Sequence, residues 1–210
     1  MRPARLLPTA ALCVAVWAGG IPVRDASTGA QAAEWVVDAA ASRVAFTYTF
    51  YGSTLEGSFS RFGGRGSFEP DAAEKATLTL WVETGSIALG SRIRELLATS
   101  AEGFDSRNHP RASFTMRALE PLGGERYRAR GIAEVKGRRH PLVAEGGLRF
   151  EDGIARAEGS LRLDRLRFGV GVGPFASLLD IGRWVTVSYS LVARPAGGGV
   201  KQHVGRDPEP

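Results

Sequence analysis

Apolar and polar residues alternate with a period of two along most of the chain from Trp35 onward, the pattern of strands that bury one face. The first predicted strands carry their apolar side chains at Val44, Phe46, Tyr48 and Phe50, at Leu55, Gly57 and Phe59, and at Leu78, Leu80 and Val82. The later strands continue the alternation through Phe114 and Met116, Tyr127 to Val135, Leu142 to Phe150, Ala155 to Leu163 and Val185 to Ala193. The pattern predicts about eight antiparallel strands.

Helix-period spacing occurs at two places only. Ile93, Leu96 and Leu97 have i, i+3, i+4 spacing, and Pro174 begins a short stretch with Phe175, Leu178 and Leu179. Turn signals separate the strands at Gly63-Gly64, Glu69-Pro70-Asp71, Gly123-Gly124, Lys136-Gly137 and Glu151-Asp152-Gly153. The predicted fold is therefore all-β, a barrel or a sandwich with one or two short helices between strands.

The N-terminus reads as an export signal. A basic start, Met1 to Arg5, precedes a short apolar run from Leu6 to Ala18, and Ala30-Gln31-Ala32 offers a cleavage site. We therefore predict a signal peptide over residues 1–32, cleaved between about Gly20 and Ala33, and export. The single cysteine, Cys13, lies inside that leader, so the mature chain is expected to fold without disulfides.

The remaining chain is predicted to contain one all-β domain, residues 33–194, and a disordered Gly/Pro-rich tail, residues 195–210. The net charge of +5 is spread without a Lys/Arg run, which argues against nucleic-acid binding. No catalytic motif stands out, and we expect no enzymatic activity and no cofactor. Asp105, His109 and His140 lack a known metal-ligand spacing, although one histidine would suffice for haem.

The predicted inward faces differ in side-chain size. Bulky residues are concentrated on the first strands, whereas Ala129, Gly131, Ala133, Ala155, Ala157 and Gly159 line the middle ones. Small residues leave volume inside a closed sheet, and empty apolar volume costs about 24 cal/mol per Å³. The interior is therefore either a container for an apolar ligand or a core plugged by Phe46, Phe59 and Phe114.

Several motifs occur in an order that resembles one family. They are Trp35-Val-Val-Asp38, Ser42-Arg-Val44-Ala-Phe46, Gly57-Ser-Phe59, Gly103-Phe104-Asp105 with His109-Pro110 and Phe114, Gly137-Arg-Arg-His140-Pro141-Leu142, Arg165-Leu-Arg-Phe168-Gly169-Val170-Gly171 and Gly182-Arg-Trp-Val185. This set resembles the YceI-like lipid- and polyisoprenoid-binding proteins. His109 stands where the family usually has Tyr, and Phe50 stands near a position where many members have His.

The resemblance implies that residues 33–194 form a lipocalin-like barrel of eight antiparallel strands. In the bacterial periplasm this barrel would hold a long amphiphilic lipid, a polyisoprenoid or an isoprenoid quinone. For the lipid tail we select seven inward positions: Val44, Phe46, Tyr48, Phe59, Leu80, Phe114 and Met116. For the head group we select Arg165 and Arg167, because a guanidinium can donate to carbonyl or phosphate oxygens.

Three matters stay open on the sequence. An eight-stranded outer-membrane barrel and a haem- or metal-binding barrel are alternatives to the lipid carrier. Transient contact with a membrane and the oligomeric state, including a dimer, are also undecided. Ligand loading needs a gap or a lid, and the segment from Ser86 to Asn108 is our candidate because it is the longest interruption between strands.

Overall fold

Strand pairing closes the sheet into a barrel in the computed structural model, which describes residues 33–68 and 75–196. The predicted signal peptide, residues 1–32, and most of the predicted tail lie outside the described residues. The strands are β1 (Ala33–Val37), β2 (Arg43–Phe50), β3 (Ser53–Phe59), β4 (Phe62–Phe68), β5 (Thr77–Glu83), β6 (Ile87–Ala88), β7 (Arg111–Gly123), β8 (Arg126–Val135), β9 (Arg138–Glu151), β10 (Ile154–Asp164) and β11 (Ile181–Pro195). One α-helix, α1, spans Arg92–Thr99, and 3-10 turns occupy Ala39–Ala41, Thr84–Ser86 and Ala176–Leu178.

The eleven strands occupy eight positions around the barrel, which we call staves, and the staves are connected as a simple antiparallel meander. β1 and β2 both pair with β11 and together form the first stave. β4 pairs with β1 and β3 pairs with β2 to form the second stave, and β5 and β6 pair with β4 and β3 to form the third. Each of these first three staves is therefore interrupted once, whereas β7 to β11 are continuous. The prediction of an eight-stranded antiparallel barrel is confirmed. β11 extends to Pro195, which pairs with Trp35, one residue into the predicted tail.

Serine hydroxyls bridge the interruptions. Ser42 Oγ donates to the carbonyl of Asp38 (2.6 Å) and accepts from the amide of Val192 (2.8 Å). Ser86 Oγ donates to the carbonyl of Glu83 (2.7 Å) and accepts from the amide of Arg61 (3.0 Å). A hydroxyl can donate and accept at once, so each serine satisfies backbone groups that the broken ladder leaves unpaired.

Tight turns at three hairpins have positive φ at both central residues, the signature of type I′ turns. They are Tyr51-Gly52, Lys136-Gly137 and Asp152-Gly153. The last two were predicted as turns from sequence, and they are confirmed.

The predicted turn at Gly63-Gly64 is wrong, because both glycines lie within β4 opposite Trp81 and Leu80. A Cβ at Gly63 would lie 2.7 Å from the Trp81 ring, and one at Gly64 would lie 2.5 Å from a Leu80 methyl. These glycines therefore make room for large side chains of β5, a use that sequence punctuation does not distinguish from a turn.

The two ends of the barrel differ in their connections. At one end, here the hairpin end, β7 joins β8 and β9 joins β10 through two-residue turns. At the other, the helical end, residues 89–110 join β6 to β7 and residues 165–180 join β10 to β11. Both predicted helical stretches are present there, as α1 and as the 3-10 turn Ala176–Leu178.

Candidate functional site

An apolar cavity of about 830 Å³ lies inside the barrel. Wall residues come from every one of the eight staves, and also from α1 and the 165–180 segment of the helical end. Inward side chains such as Val185, Val187 and Leu161 are only half-buried, because they face this open volume instead of other side chains. Packed clusters occur around Phe46, Ile87 and Leu89 and around Ala76, Met116 and Leu119.

Small residues and glycines keep the cavity open. The wall of β8 to β10 presents Ala129, Ala133, Ala144, Ala155 and Ala157. The ring of Phe114 lies against Gly131, where a Cβ would be 2.6 Å from it, and the Tyr189 hydroxyl lies against Gly146 and Gly159. Large side chains therefore lie flat on neighbouring strands. The alternative of a core plugged by aromatic rings is wrong, because the rings leave a volume of ligand size.

Aromatic contacts are concentrated on the opposite side of the cavity. Phe59 lies 5.4 Å from Phe46 and 5.9 Å from Phe104, measured between ring centroids. All seven residues selected for the lipid tail line the cavity: Val44, Phe46, Tyr48, Phe59, Leu80, Phe114 and Met116. The structure thus brings them into one site, and their contact with a ligand stays a prediction.

Of the two arginines selected for the head group, Arg165 lines the cavity but its guanidinium is already committed. It donates to four backbone carbonyls, those of Gly182 (2.8 Å), Val170 (2.7 Å), Gly171 (2.8 Å) and Ile181 (2.7 Å). Burial lowers the pKa of Arg165. With its donors turned toward the backbone, this side chain holds the 165–180 segment on the barrel.

Arg167 lies outside the cavity wall, on an outer groove formed with His140, Arg162, Asp164, Arg183 and Trp184. Its carbonyl is 2.9 Å from His140 Nε2. In the same groove Arg183 donates twice to Asp164 Oδ2, at 2.9 and 2.6 Å. That hydrogen-bonded guanidinium lowers the pKa of Asp164. The head-group role of Arg165 and Arg167 stays a prediction that neither position favours.

The sequence analysis missed Arg94, which lines the cavity at the helical end. One of its terminal nitrogens donates to the Leu89 carbonyl (2.7 Å), and its buried Nε has no partner among the described residues. The buried Tyr48 hydroxyl is also without a partner in that part of the chain. Burial raises the pKa of Tyr48, and the charge of Arg94 opposes that rise. The two side chains form a polar spot in a largely apolar wall.

Nothing in the sequence marks Arg94, because it stands between Ile93 and Leu96 in a pattern that predicts a buried apolar helix face. The helix is rotated the other way: Ile93 and Leu96 are exposed, whereas Arg94 and Ala98 are half-buried. Only the tertiary placement of α1 reveals this arginine.

Glu102 joins the two segments of the helical end. Its carboxylate accepts from the amides of Phe175 (3.2 Å) and Ala176 (2.6 Å). Its backbone carbonyl accepts from the amides of Gly171 (2.8 Å) and Val172 (3.2 Å). One residue therefore ties the chain that follows α1 to the chain between β10 and β11.

Charged side chains lie on the outer face of the sheet. Arg128 pairs with Glu145 at 2.7 Å, Arg130 with Glu120 at 2.7 Å, and Arg149 with Glu125 at 2.6 Å. The outer-membrane alternative predicts an apolar band in that position, and this face is charged. In the described ranges, no helix has the length and apolar character needed to cross a membrane.

The metal-binding alternative finds no cluster of donors. Within residues 33–68 and 75–196, no three His, Cys, Asp or Glu side chains come together in a geometry that could hold a metal ion. His140 packs edge-on against Phe168 with ring centroids 5.1 Å apart.

A closed antiparallel barrel around an apolar cavity is the architecture of small barrels that hold one ligand. The family model of the YceI-like domain matches residues 35–193. The chain therefore belongs to the YceI-like family, as its motifs indicated.

Solved structures share the fold. BcnA from Burkholderia cenocepacia superimposes with a TM-score of 0.70 at 24% identity, over 74% of this chain and 98% of that one. A polyisoprenoid binding domain from Saccharophagus degradans gives 0.64 at 14% identity, over 79% and 99%. The YCEI protein of Campylobacter jejuni gives 0.56 at 17% identity, over 67% and 84%. Among curated protein sequences, none matches this chain significantly.

Proposed function

We propose that this protein is a periplasmic carrier that holds one long amphiphilic lipid, a polyisoprenoid or an isoprenoid quinone, inside the barrel. The observation that carries the proposal is the apolar cavity of about 830 Å³, within the range of about 300–1,000 Å³ typical of ligand sites. The name of the Saccharophagus degradans domain, a polyisoprenoid binding domain, supports the choice of lipid. The signal peptide predicted from sequence over residues 1–32 supports export.

An occupant is favoured on energetic grounds. At about 24 cal/mol per Å³, leaving this volume empty would cost more than the 5–15 kcal/mol of net stability typical of a domain. Water does not fill an apolar cavity well, because it needs polar partners there. An apolar chain satisfies the wall, so binding and folding are expected to reinforce each other.

The polar spot supports one orientation of the ligand. The tail lies between the alanine-lined wall of β8 to β10 and the tail positions selected on the opposite strands. The head group lies near Arg94 and the Tyr48 hydroxyl at the helical end, so that Tyr48, selected for the tail from sequence, is assigned to the head group instead. Arg94 retains donors that are not used by the backbone, and these suit a carbonyl or phosphate oxygen. The protein thus acts by binding, with no reaction assigned to its residues.

The test is native mass spectrometry of the mature domain purified without detergent, followed by organic extraction and lipid analysis. A single added mass of a few hundred daltons, released as a polyisoprenoid or quinone, is expected. A bare polypeptide that also fails to take up added isoprenoid quinone would refute the carrier function.

Paired variants locate the ligand. Ala157→Trp places an indole in the cavity and is expected to abolish lipid retention, whereas Ser160→Trp, on the exposed face of the same strand, leaves it unchanged. Arg94→Met is expected to weaken retention about tenfold, the loss of one hydrogen bond to a charged group, and Arg92→Met serves as its exposed control. Circular dichroism and the melting temperature confirm that each variant is folded.

A further inference from the structure

The apolar stripe of α1 points away from the barrel. Ile93 is 72% exposed and Leu96 is 55% exposed, and Leu97 is also exposed. A surface helix ordinarily turns such a stripe toward the core. Here the core-facing positions are Arg94 and Ala98, so the helix leaves its apolar side without a partner in the described chain.

A second apolar segment adjoins this stripe. Phe175 is 73% exposed and Leu178 is 75% exposed. Glu102, just after α1, holds the amides of Phe175 and Ala176, and the Tyr51 hydroxyl donates to the Leu178 carbonyl (3.3 Å). We call this surface the apolar end face, defined by Ile93, Leu96, Leu97, Phe175 and Leu178. Contiguous exposed apolar surface of this kind marks an interaction site.

The cavity reaches the surface within the apolar end face. Leu97 and Phe175 both line the cavity, and both are exposed to solvent. A ligand that leaves between α1 and the 173–179 segment would therefore emerge among apolar side chains.

Exposed basic side chains are present at the same end of the barrel as the apolar end face. Arg92, Arg107 and Arg167 lie on α1 or on the long connections of the helical end, and Arg138 begins β9 beside them. All four are exposed, and none forms an ion pair within the described residues. Lys136, in the β8–β9 turn, is half-buried and donates to the Gly169 carbonyl (3.0 Å). Four carboxylates lie in the same segments and keep their charge, and they are fewer than the basic side chains. Glu95 accepts from the Leu89 amide, Glu102 from Phe175 and Ala176, and Asp105 from Asn108, whereas Asp180 is exposed.

We propose that the apolar end face docks on an anionic lipid bilayer. Ile93, Leu96 and Leu178 insert at the level of the acyl chains while exposed arginines of the helical end meet lipid phosphates, the arrangement of interfacial helices. The cavity then opens toward the bilayer, and a lipid passes between them without crossing water. The proposal rests on the proposed function, because a lipid cargo is what makes this exchange useful.

A second copy of the chain fits the surface less well. A two-fold contact sets the same residues of both copies against one another, and here it would bring two sets of unpaired basic groups together. Opposite charge on the bilayer favours the membrane over the dimer.

The experiment is co-sedimentation of the mature protein with vesicles of phosphatidylglycerol and phosphatidylethanolamine, or of phosphatidylcholine alone. Binding is expected to the anionic vesicles, to fall with added NaCl, and to be at least fivefold weaker on phosphatidylcholine. Leu96→Ser and Leu178→Ser are each expected to weaken it about tenfold, since each removes one inserted leucine. Neither residue lines the cavity.

Leu122→Ser is the matched control, because Leu122 is an exposed leucine at the hairpin end. An equal loss with Leu122→Ser, no binding to either vesicle, or equal binding to both would overturn the proposal. So would a dimer, measured by light scattering without vesicles, that Leu96→Ser dissociates. Lipid extraction from the same samples separates the two proposals: cargo without docking refutes only the docking, and docking without cargo refutes only the carrier.

Discussion

The hairpin end and the helical end close the same barrel by different means. At the hairpin end, residues such as Asp152 and Gly153 adopt positive φ and reverse the chain within two positions. At the helical end, long connections are held by single side chains that reach far along the sequence, above all Arg165 and Glu102. Two-residue turns also occur at the helical end, at Tyr51-Gly52 and Lys136-Gly137, but only that end has long connections that depend on a few tethers.

This difference fits the separate tasks that we assign to the two ends. A two-residue turn has no alternative conformation to adopt, since its geometry is set by the twist of its own strands. A tethered connection can open when a few hydrogen bonds break, at a cost far below that of unfolding the barrel. The mouth of the cavity and the apolar end face both belong to the end that can move.

The largest expected effect follows from removing Arg165. Arg165→Met leaves the carbonyls of Gly182, Val170, Gly171 and Ile181 without their donor, and we expect a loss of about 3 kcal/mol in the free energy of unfolding. Urea denaturation followed by circular dichroism measures it. Arg149→Met, which removes an exposed ion pair at the hairpin end, is the control and is expected to leave the midpoint unchanged.

The same variant tests the head-group role predicted for Arg165 from sequence. If Arg165 binds the ligand instead of the backbone, Arg165→Met lowers lipid content without lowering the stability of the lipid-free protein. That result would contradict the tether and would weaken the contrast between the two ends.

A smaller effect is expected at Glu102. Glu102→Ala removes the carboxylate acceptor of the Phe175 and Ala176 amides, and their hydrogen exchange is expected to accelerate about tenfold, equivalent to about 1.4 kcal/mol. Lipid release should accelerate as well, while amides of β8 keep their protection. Glu125→Ala at the hairpin end is the control. If this variant accelerates the hydrogen exchange of neighbouring amides by the same factor, the two ends do not differ in this way.

The barrel could be predicted from the sequence because its wall repeats one local rule. Alternation with period two places Phe46, Phe114 and Ala157 on the inner face, and the structure agrees at each position. The rule is less informative where a stave breaks. The interruption at Thr84–Ser86 and the use of Gly63-Gly64 inside β4 depend on neighbours distant in sequence, which alternation does not report.

The site could be predicted only for its apolar part. Tail positions follow from facing inward, a property of each strand by itself. The roles of Arg94 and Arg165 follow instead from how the connections fold back on the barrel, because an arginine that meets four carbonyls and one that meets a single carbonyl look alike in sequence. The apolar stripe of α1 predicted a helix correctly, but not that the stripe faces solvent.

The smallest effect concerns the turns themselves. Gly153 and Gly52 have φ of +71° and +74°, and a Cβ at either would meet no atom of the described chain within 4 Å. Gly153→Ala and Gly52→Ala are therefore each expected to cost about 1 kcal/mol, from backbone strain alone. Urea denaturation measures both, with exposed Ser160→Ala as the control.

Because Gly52 lies at the helical end, an equal cost shows that its turn is encoded as locally as those of the hairpin end. A clearly larger cost at Gly52 would mean that this turn also supports the 3-10 segment through Tyr51, whose hydroxyl donates to Leu178, and the tethered part of the helical end would then include β2 and β3.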